Sequence, residues 1–593
     1  MMILSSQGLN MKKKKISKKD WQKFLQGRYK GTVAFMKILF VCWSIGLVYS
    51  LFVTGVKDPK NYRVKARAQQ VSKSVILRGD IYDRNGIKLA TDEIYREVYA
   101  HKKRQEKQDP DYDPNILTVH SQSEVAEKLS PILDISEEEL LNKLKVNDPI
   151  ITLKRGIDKK TEQRVDAVGW IQDLSVGKKT KRTYPQGTLG AHVLGYYNFN
   201  ADIASGVEQV AEKKLEYTQK FMPIYKTKDG NIIFDTDTDI LATTTQPKGE
   251  DVTLTIDAAI QYIAEKELFK MAQERDVDNG FAIVMNPKNG EILAYAVYPN
   301  YDPNKYYKAS EQDRNNWSLT GIYPPGSTFK IITIASAMDL GKIHENTQVY
   351  DTCKLKIAGT TIENSHCYPD GMISLVDLFE RSSNVASFGI AKLMTDKEFY
   401  DKIRKFGFGQ KTGIDLPGES PGILYSPKNW DGTTKLSLSY GYGTSVNAMQ
   451  MVAAVGAVAN NGVMVTPHVI KYSPEEAEKK VKYTQVISPN TAQTVTRLLA
   501  KSIEQGKSTL KMDKYQLAAK TGTSNKIVDG KYSSAQSYTS AIGYFPASNP
   551  QVLIYVGFDN PKGYGVWGNT VAGPVFHEIA EQTARILNLK QDK

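Results

Sequence analysis

Ser327 and Lys330 stand three residues apart in Tyr323-Pro324-Pro325-Gly326-Ser327-Thr328-Phe329-Lys330, where a helical pattern begins. Three residues is close to one helical turn, so the two side chains share a face and the lysine amine can reach the serine hydroxyl. A neutral amine there can take the hydroxyl proton, and a helix N-terminus favours the negative charge left behind, which is how a serine becomes a nucleophile. The spacing alone is common: Ser175 with Lys178 and Ser508 with Lys511 repeat it and read as solvated polar surface. Order along the chain separates Ser327 from them. Ser382-Ser383-Asn384 follows 55 residues later, and Lys520-Thr521-Gly522 a further 138. Lys411-Thr412-Gly413 copies the third element but sits in the turn-like stretch 408–413, whereas Lys520 closes the apolar run Leu517-Ala518-Ala519. A strand edge can present backbone groups to an extended substrate, and a glycine-rich turn does so less readily. Ser445-Val446-Asn447 copies the second element at the wrong distance from Ser327.

The elements that must position these residues follow from pattern. Residues 251–256 predict a strand, 258–275 a helix, and 281–285 with 291–297 a hairpin around Asn286-Pro287-Lys288-Asn289-Gly290. Residues 329–460 are helix-rich, and strands return at 515–519, 538–544 and 552–558 before an amphipathic helix at 574–589. Strands at both ends with helices between them predict an antiparallel sheet whose terminal strands meet beside a helical lobe. Upstream, residues 57–245 are polar and mixed, with extended runs at 74–77 and 150–153, a charged helix at 136–144 and turns at 84–86, 184–187 and 229–231; they read as an α+β spacer.

The chain has 593 residues, 41 % of them hydrophobic and 24 % charged, with 3 Cys. It can bury several cores, is no low-complexity chain, and is too poor in cysteine for a disulfide scaffold. Of the net charge of +13, residues 1–37 carry +9, which leaves +4 for the rest. So local a basicity argues against nucleic acid as a partner and for a membrane. Residues 38–56 form an uncharged run of 19, long enough as a helix to span about 28 Å. Lys and Arg crowd its N-terminal side, which predicts a cytoplasmic tail (1–37), a single-pass anchor (38–56) and an exported body. No small-x-small cleavage site follows it. Cys353 and Cys367 then bracket a loop in an oxidising compartment, either as a disulfide or as two buried thiols. The scattered His residues complete no metal site.

The three ordered elements resemble those of the penicillin-recognising serine enzymes, and nearly the whole exported chain resembles class B penicillin-binding proteins. Arg78-Gly79-Asp80-Ile81-Tyr82-Asp83-Arg84-Asn85-Gly86 is similar to the opening signature of that family's pedestal, and Leu189-Gly190-Ala191-His192-Val193-Leu194-Gly195 and Gly206-Val207-Glu208 to its other landmarks. Leu254-Thr255-Ile256-Asp257 with Gln261 resembles the entry to the transpeptidase domain. Ser439-Tyr440-Gly441-Tyr442-Gly443 with Gln450, Phe545-Pro546-Ala547-Ser548 and Gly573-Pro574-Val575-Phe576 most resemble the septal, FtsI-like branch, while Pro324-Pro325-Gly326-Ser327 is also similar to the elongation branch. Two positions depart from the family pattern: Trp317 in place of Arg, and Asn447-Ala448 in place of Thr-Pro.

The resemblance implies an α+β multidomain fold: an N-terminal transmembrane helix, an elongated pedestal (57–245, dimerisation-type) and a penicillin-binding, β-lactamase-like transpeptidase domain (246–593) with an antiparallel sheet and a helical lobe. It implies a DD-transpeptidase acting on D-Ala-D-Ala stem peptides of peptidoglycan and stalled by β-lactams. Ser327 is the implied nucleophile, Lys330 its base, and Ser382 and Asn384 the proton relay and amide-orienting groups. Lys520, Thr521, Gly522 and Thr523 are the implied carboxylate-binding strand. Arg78, Gly79, Asp83, Arg84, Gly86 and Glu208 read as architecture, an inter-domain salt-bridge and turn element. No metal or organic cofactor is implied. A membrane-embedded glycosyltransferase and other divisome or elongasome proteins are the implied partners. A hydrolase with the same triplet and a catalytically silent scaffold are the competing readings. No Glu-bearing loop for deacylation stands out against the first, and intact Ser327, Lys330 and Lys520 weigh against the second.

Overall fold

A computed structural model describes residues 18–52, 76–102, 114–198, 201, 203–216, 225–226, 232–233, 248–357, 359–528 and 531–593. The basic run at 12–15, the first two residues of the extended run at 74–77, the turn at 229–231, the end of the expected span at 53–56 and the boundaries expected at 57 and 245 lie outside these residues. The chain divides into two compact units, one holding the N-terminal helix and the other holding residues 75–218 and 247–593.

The N-terminal helix α1 is a single helix, Lys18–Phe52. It starts twenty residues before the uncharged run, because lysines tolerate a helix as well as leucines do. Its most apolar window is Val33–Ser50, 18 residues with a mean hydropathy of 1.8 and none of it buried. That is about 27 Å of helix, which fits a single-pass membrane anchor. Lys37 falls inside this window, where its long stem can carry the amine to the interface.

In the second unit the pedestal is built on strands β1 (Ile81–Tyr82), β2 (Lys88–His101), β3 (Ile150–Ile157) and β4 (Leu174–Thr183). The 14-residue β2 pairs antiparallel with the other three. Helices α2 (Gln122–Leu133), α3 (Glu137–Leu144) and α4 (Lys159–Asp166) each begin at a side-chain cap: Ser121 in a capping box with Glu124, Ser136 onto the Glu139 N–H, and Asp158 onto the Thr161 N–H. Their apolar faces bury Val125, Leu129, Leu133, Leu140 and Leu144 against Val98, Ile151 and Leu153 of the sheet. The pedestal joins the larger domain through β5 (Val252–Thr253), which runs parallel to β1.

Glu208, fully buried, lies between two guanidinium groups: Arg78 Nη2 at 3.1 Å and Arg182 Nε at 2.6 Å. The Tyr184 hydroxyl donates to it at 3.3 Å. Arg78 reaches Glu212 as well, and Arg182 reaches Asp92. Arg78 therefore pairs within the pedestal. The inter-domain contacts fall to its neighbours. Asp83 accepts the Asn85 and Ile87 N–H groups through one oxygen and the Ala258 N–H at 3.1 Å through the other, and Arg84 pairs with Glu291 at 3.4 Å. Gly79 N–H donates to Leu215 O and Gly86 N–H to Asp83 O. Replacing Glu208 by Ala leaves two buried cations short of a partner, and we expect a loss of about 3 kcal/mol in urea unfolding of the pedestal, with Glu208→Gln losing less.

The larger domain opens with α5 (Ala258–Glu274), capped by Asp257, and a five-stranded antiparallel sheet. Its strands are β6 (Asn279–Met285), β7 (Ile292–Tyr298), β8 (Ala518–Val528), β9 (Lys531–Phe545) and β10 (Val552–Asp559), in spatial order β7-β6-β10-β9-β8. The strands from the two chain ends meet as expected, with Phe281 opposite Gly557 and Val284 opposite Ile554. Side-chain alternation divides the sheet between two cores. Ala282 and Val284 face α5 and the closing helix α11 (Ala572–Ile586), while Phe281, Ile283 and Met285 face the helical lobe. Burial on both faces explains why these strands read as continuous apolar runs rather than alternating ones. The lobe contains α6 (Lys330–Asp339), α7 (Leu375–Arg381), α8 (Asn384–Ala391), α9 (Ala448–Ala459) and α10 (Pro489–Gln505). Every residue of α9 is buried, as a sequence apolar at every position but Gln450 requires.

Candidate active site

The site lies where the first turn of α6 passes beneath the edge strand β8. Gly326 adopts φ +58°, and a Cβ there would meet Thr523 O at 3.0 Å and Ser524 Cβ at 3.1 Å. The left-handed conformation and the approach of β8 thus both call for glycine at this position. The chain then makes a 3-10 turn, Gly326–Phe329, before α6. In that tighter helix residues i and i+3 eclipse, so Ser327 and Lys330 align more directly than in an α-helix. Phe329 anchors the turn, fully buried with its ring centroid 5.1 Å from that of Phe408. Burial of such a ring stabilises the turn by about 2 kcal/mol.

Lys330 is fully buried, and its Nζ lies 3.0 Å from Ser327 Oγ. The same nitrogen lies 2.5 Å from the Ser382 carbonyl, 3.1 Å from Ser382 Oγ and 2.8 Å from Asn384 Oδ1. Ser382 sits at φ 55°, ψ 41° between α7 and α8, and this left-handed corner turns both its carbonyl and its hydroxyl toward the amine. Two of the four neighbours, the Ser382 carbonyl and the Asn384 amide oxygen, can only accept. A neutral amine has two N–H bonds for them and one lone pair left for a hydroxyl. Burial is the main force holding the Lys330 amine well below its ordinary range; the positive charge of Lys520 pushes it the same way and Asp351 opposes.

Lys520 is the third residue of β8, nearly buried, and burial lowers its amine to about 8 against a small opposing pull from Glu380. Gly522, two residues on, crosses the Ser327 turn so closely that a Cβ would meet Ser540 Oγ at 2.8 Å and Thr328 Cγ2 at 3.0 Å. Thr521 and Thr523 alternate with them along the strand, and the Thr523 hydroxyl accepts the Gly568 N–H at 3.0 Å. The Tyr442 hydroxyl accepts the Asn525 N–H at 2.9 Å, and its ring meets Tyr532 edge-on at 4.9 Å.

Ser327, Lys330, Ser382 and Asn384 are thus in direct contact, with Lys520, Thr521, Gly522 and Thr523 on the adjoining strand. The pedestal residues Arg78, Gly79, Asp83, Arg84, Gly86 and Glu208 belong to the network described above. Cys353 and Cys367 are bonded to each other, Cα atoms 4.8 Å apart, and close a loop that touches Asn384. The look-alike motifs have other work: Glu419 takes the Thr412 and Gly413 N–H groups, and Asn447 caps α9 in a capping box with Gln450. Asn447 caps that helix well, because Asn is among the strongest N-cap residues. Trp317 packs its ring against Tyr323 at 5.7 Å and Tyr538 at 6.2 Å.

Residues 280–581 match the family model described as "Penicillin binding protein transpeptidase domain", and residues 74–254 the one described as "Penicillin-binding Protein dimerisation domain". This chain belongs to the class B penicillin-binding proteins. Among the curated members of that family, it is 31 % identical over 530 residues to Stage V sporulation protein D of Bacillus subtilis, covering 87 % of this chain and 79 % of that protein. It is 29 % identical over 575 residues to the probable peptidoglycan D,D-transpeptidase PenA of Neisseria gonorrhoeae, covering 96 % and 94 %. The peptidoglycan D,D-transpeptidase FtsI of Escherichia coli is 26 % identical over 532 residues, covering 89 % and 86 %. A solved penicillin-binding protein 3 of Mycobacterium tuberculosis, complexed with aztreonam, superposes with a TM-score of 0.64 at 23 % identity, covering 88 % of this chain and 98 % of that one, and shares its fold. For a class B penicillin-binding protein, the departures at Trp317 and Asn447 leave the three residues around Lys330 untouched.

Proposed function

We propose that this penicillin-binding protein is a peptidoglycan D,D-transpeptidase that works through an ester on Ser327. The observation that carries the reading is the Lys330 amine, buried 3.0 Å from Ser327 Oγ with its N–H bonds claimed by two obligate acceptors. Its lone pair takes the Ser327 proton as Oγ attacks the carbonyl of the penultimate D-Ala. The tetrahedral intermediate is held by the Ser327 and Thr523 backbone N–H groups, each worth about 3 kcal/mol in comparable sites. It collapses with cleavage of the C–N bond, and the proton passes through the Ser382 hydroxyl to the departing D-Ala amine. Asn384 orients the donor peptide amide, and Lys520, Thr521 and Thr523 hold the terminal carboxylate. An amine from a neighbouring stem peptide then attacks the ester, gives up its proton, and Ser327 recovers its hydroxyl. A β-lactam acylates Ser327 in the same way but keeps its leaving group tethered, so the ester persists. The D,D-transpeptidase names of PenA and FtsI and the aztreonam complex of the mycobacterial relative support this reading.

The placement of the charges in residues 1–37 supports a cytoplasmic N-terminus and an exported body. The FtsI-like motifs support septal wall synthesis beside a membrane-embedded glycosyltransferase. A tagged copy concentrated at midcell is the expected result, and a sidewall pattern would move the assignment to elongation. The chemistry is tested by time-resolved intact mass after benzylpenicillin. The adduct is expected to last for minutes or longer, and loss within seconds would favour a hydrolase.

The charge of Lys520 gives a further test. Because it disfavours the protonated Lys330, Lys520→Met should raise the Lys330 amine, and the acid limb of the acylation rate should move to higher pH. Stopped-flow acylation between pH 5 and 9 measures this; an unmoved limb would mean that Lys520 does not act on the base.

A further inference from the structure

We propose that Asn364 is a positioning residue for the second catalytic element, and that with Asp351 it forms a buried unit holding Ser382 and Asn384 around Lys330. The inference rests on the acyl-enzyme reading above. Neither residue touches Ser327 or Lys330 through a hydrogen bond, and neither belongs to the three sequence elements.

The geometry is specific. The Asn364 amide oxygen accepts the Asn384 N–H at 2.8 Å and the Val385 N–H at 3.2 Å, two of the unpaired donors at the start of α8. Its amide nitrogen donates to Asp351 Oδ1 at 3.0 Å and to the Thr352 carbonyl at 3.1 Å. Asp351 Oδ1 also accepts the Ser383 hydroxyl at 2.6 Å, and that hydroxyl caps α8 through the Ala386 N–H at 2.9 Å. Asn384 is tied a second time, its side-chain nitrogen donating to the Glu363 carbonyl at 2.9 Å. One short segment therefore fixes Ser383 and Asn384 by backbone and side chain, and with them the left-handed corner at Ser382. Asp351, Asn364 and Ser383 are buried, at 5 %, 6 % and 1 % exposure, so water cannot substitute for a lost partner. The segment is itself braced, because the Asn364 N–H donates to the Cys353 carbonyl at 3.0 Å and the Cys353–Cys367 bond closes the loop that carries it.

Asp351 has a second consequence. The charges acting on the Lys330 amine are Lys520 on β8, which disfavours its protonation, and Asp351, which favours it. Asp339 at the far end of α6 is paired with Lys402, and Glu380 on α7 acts on Lys520. Asp351→Asn keeps an oxygen for Ser383 and Asn364 and removes the charge. It should therefore move the acid limb of acylation to lower pH.

The test uses full-length protein in detergent and nitrocefin, with the binding constant and the acylation rate constant separated by stopped flow. Wild-type protein that forms no Ser327 adduct would sink the function itself and leave nothing for Asn364 to position. With wild type active, Asn364→Ala should lower the acylation rate constant about 30-fold while binding changes less than about threefold. An unchanged rate constant in Asn364→Ala, or a loss expressed only in binding, overturns the proposal. Should Asn364→Ala fail to fold, the Asp351→Asn profile decides: a limb shifted to lower pH supports the buried unit, and an unmoved limb contradicts it.

Discussion

Ser327→Ala should abolish the covalent benzylpenicillin adduct while leaving the protein folded. Ser327 is partly exposed in a turn whose shape is set by Gly326, by Phe329 and by the Thr328 hydroxyl on the Pro325 carbonyl at 2.8 Å. Removing one oxygen from that turn creates no cavity of note and leaves Lys330 three oxygen neighbours. The melting temperature should therefore stay within about 2 °C of wild type, since surface changes away from such features rarely exceed 0.5 kcal/mol. Intact mass measures the outcome: wild type gains one drug mass and Ser327→Ala gains none. A variant that still gained one drug mass would place the nucleophile elsewhere.

The second large effect belongs to Lys330. Lys330→Met fills the same volume but removes the proton acceptor, and acylation should slow by about 10³-fold, within the range that general-base catalysis contributes. Wild-type protein should show a matching pH dependence. Burial depresses the Lys330 amine, so the neutral base is present above its folded-state value and is lost as the pH falls through it. The acylation rate should accordingly fall on the acid side, with the limb missing from Lys330→Met. A variant that retained the wild-type limb would show that another group takes the proton. Lys330→Met also strands the Ser382 carbonyl and the Asn384 amide oxygen, so some loss of stability should accompany the loss of rate.

Much of this molecule could be read from residue order, and the rest failed for physical reasons. The hairpin around 286–290 and the meeting of the first and last strands were legible because burial on both faces leaves long apolar runs. The reach of β8 was not. Residues 520–525 are polar and glycine-bearing and fall beyond the strand expected at 515–519, yet pairing with β9 carries the strand from Ala518 to Val528. At an edge strand beside a groove the exposed face selects polar residues, so composition misleads there. The 3-10 turn at Ser327 was likewise hidden, since spacing of three residues suits either helix. The partners of Arg78 were hidden as well, because Glu208 and Glu212 lie 130 and 134 positions away and only the fold brings them to it. Asn364 and Asp351 carry no period and lie in no motif. Only the folded loop brings them to Asn384 and Ser383.

The central claim is that the Ser327 hydroxyl, deprotonated by the buried amine of Lys330, becomes the ester. Its most direct test is proteolysis of the benzylpenicillin-treated full-length protein followed by peptide sequencing in a mass spectrometer. The account predicts a single adduct on Ser327. An adduct on any other side chain, or a folded wild-type protein that takes up no drug, would contradict it.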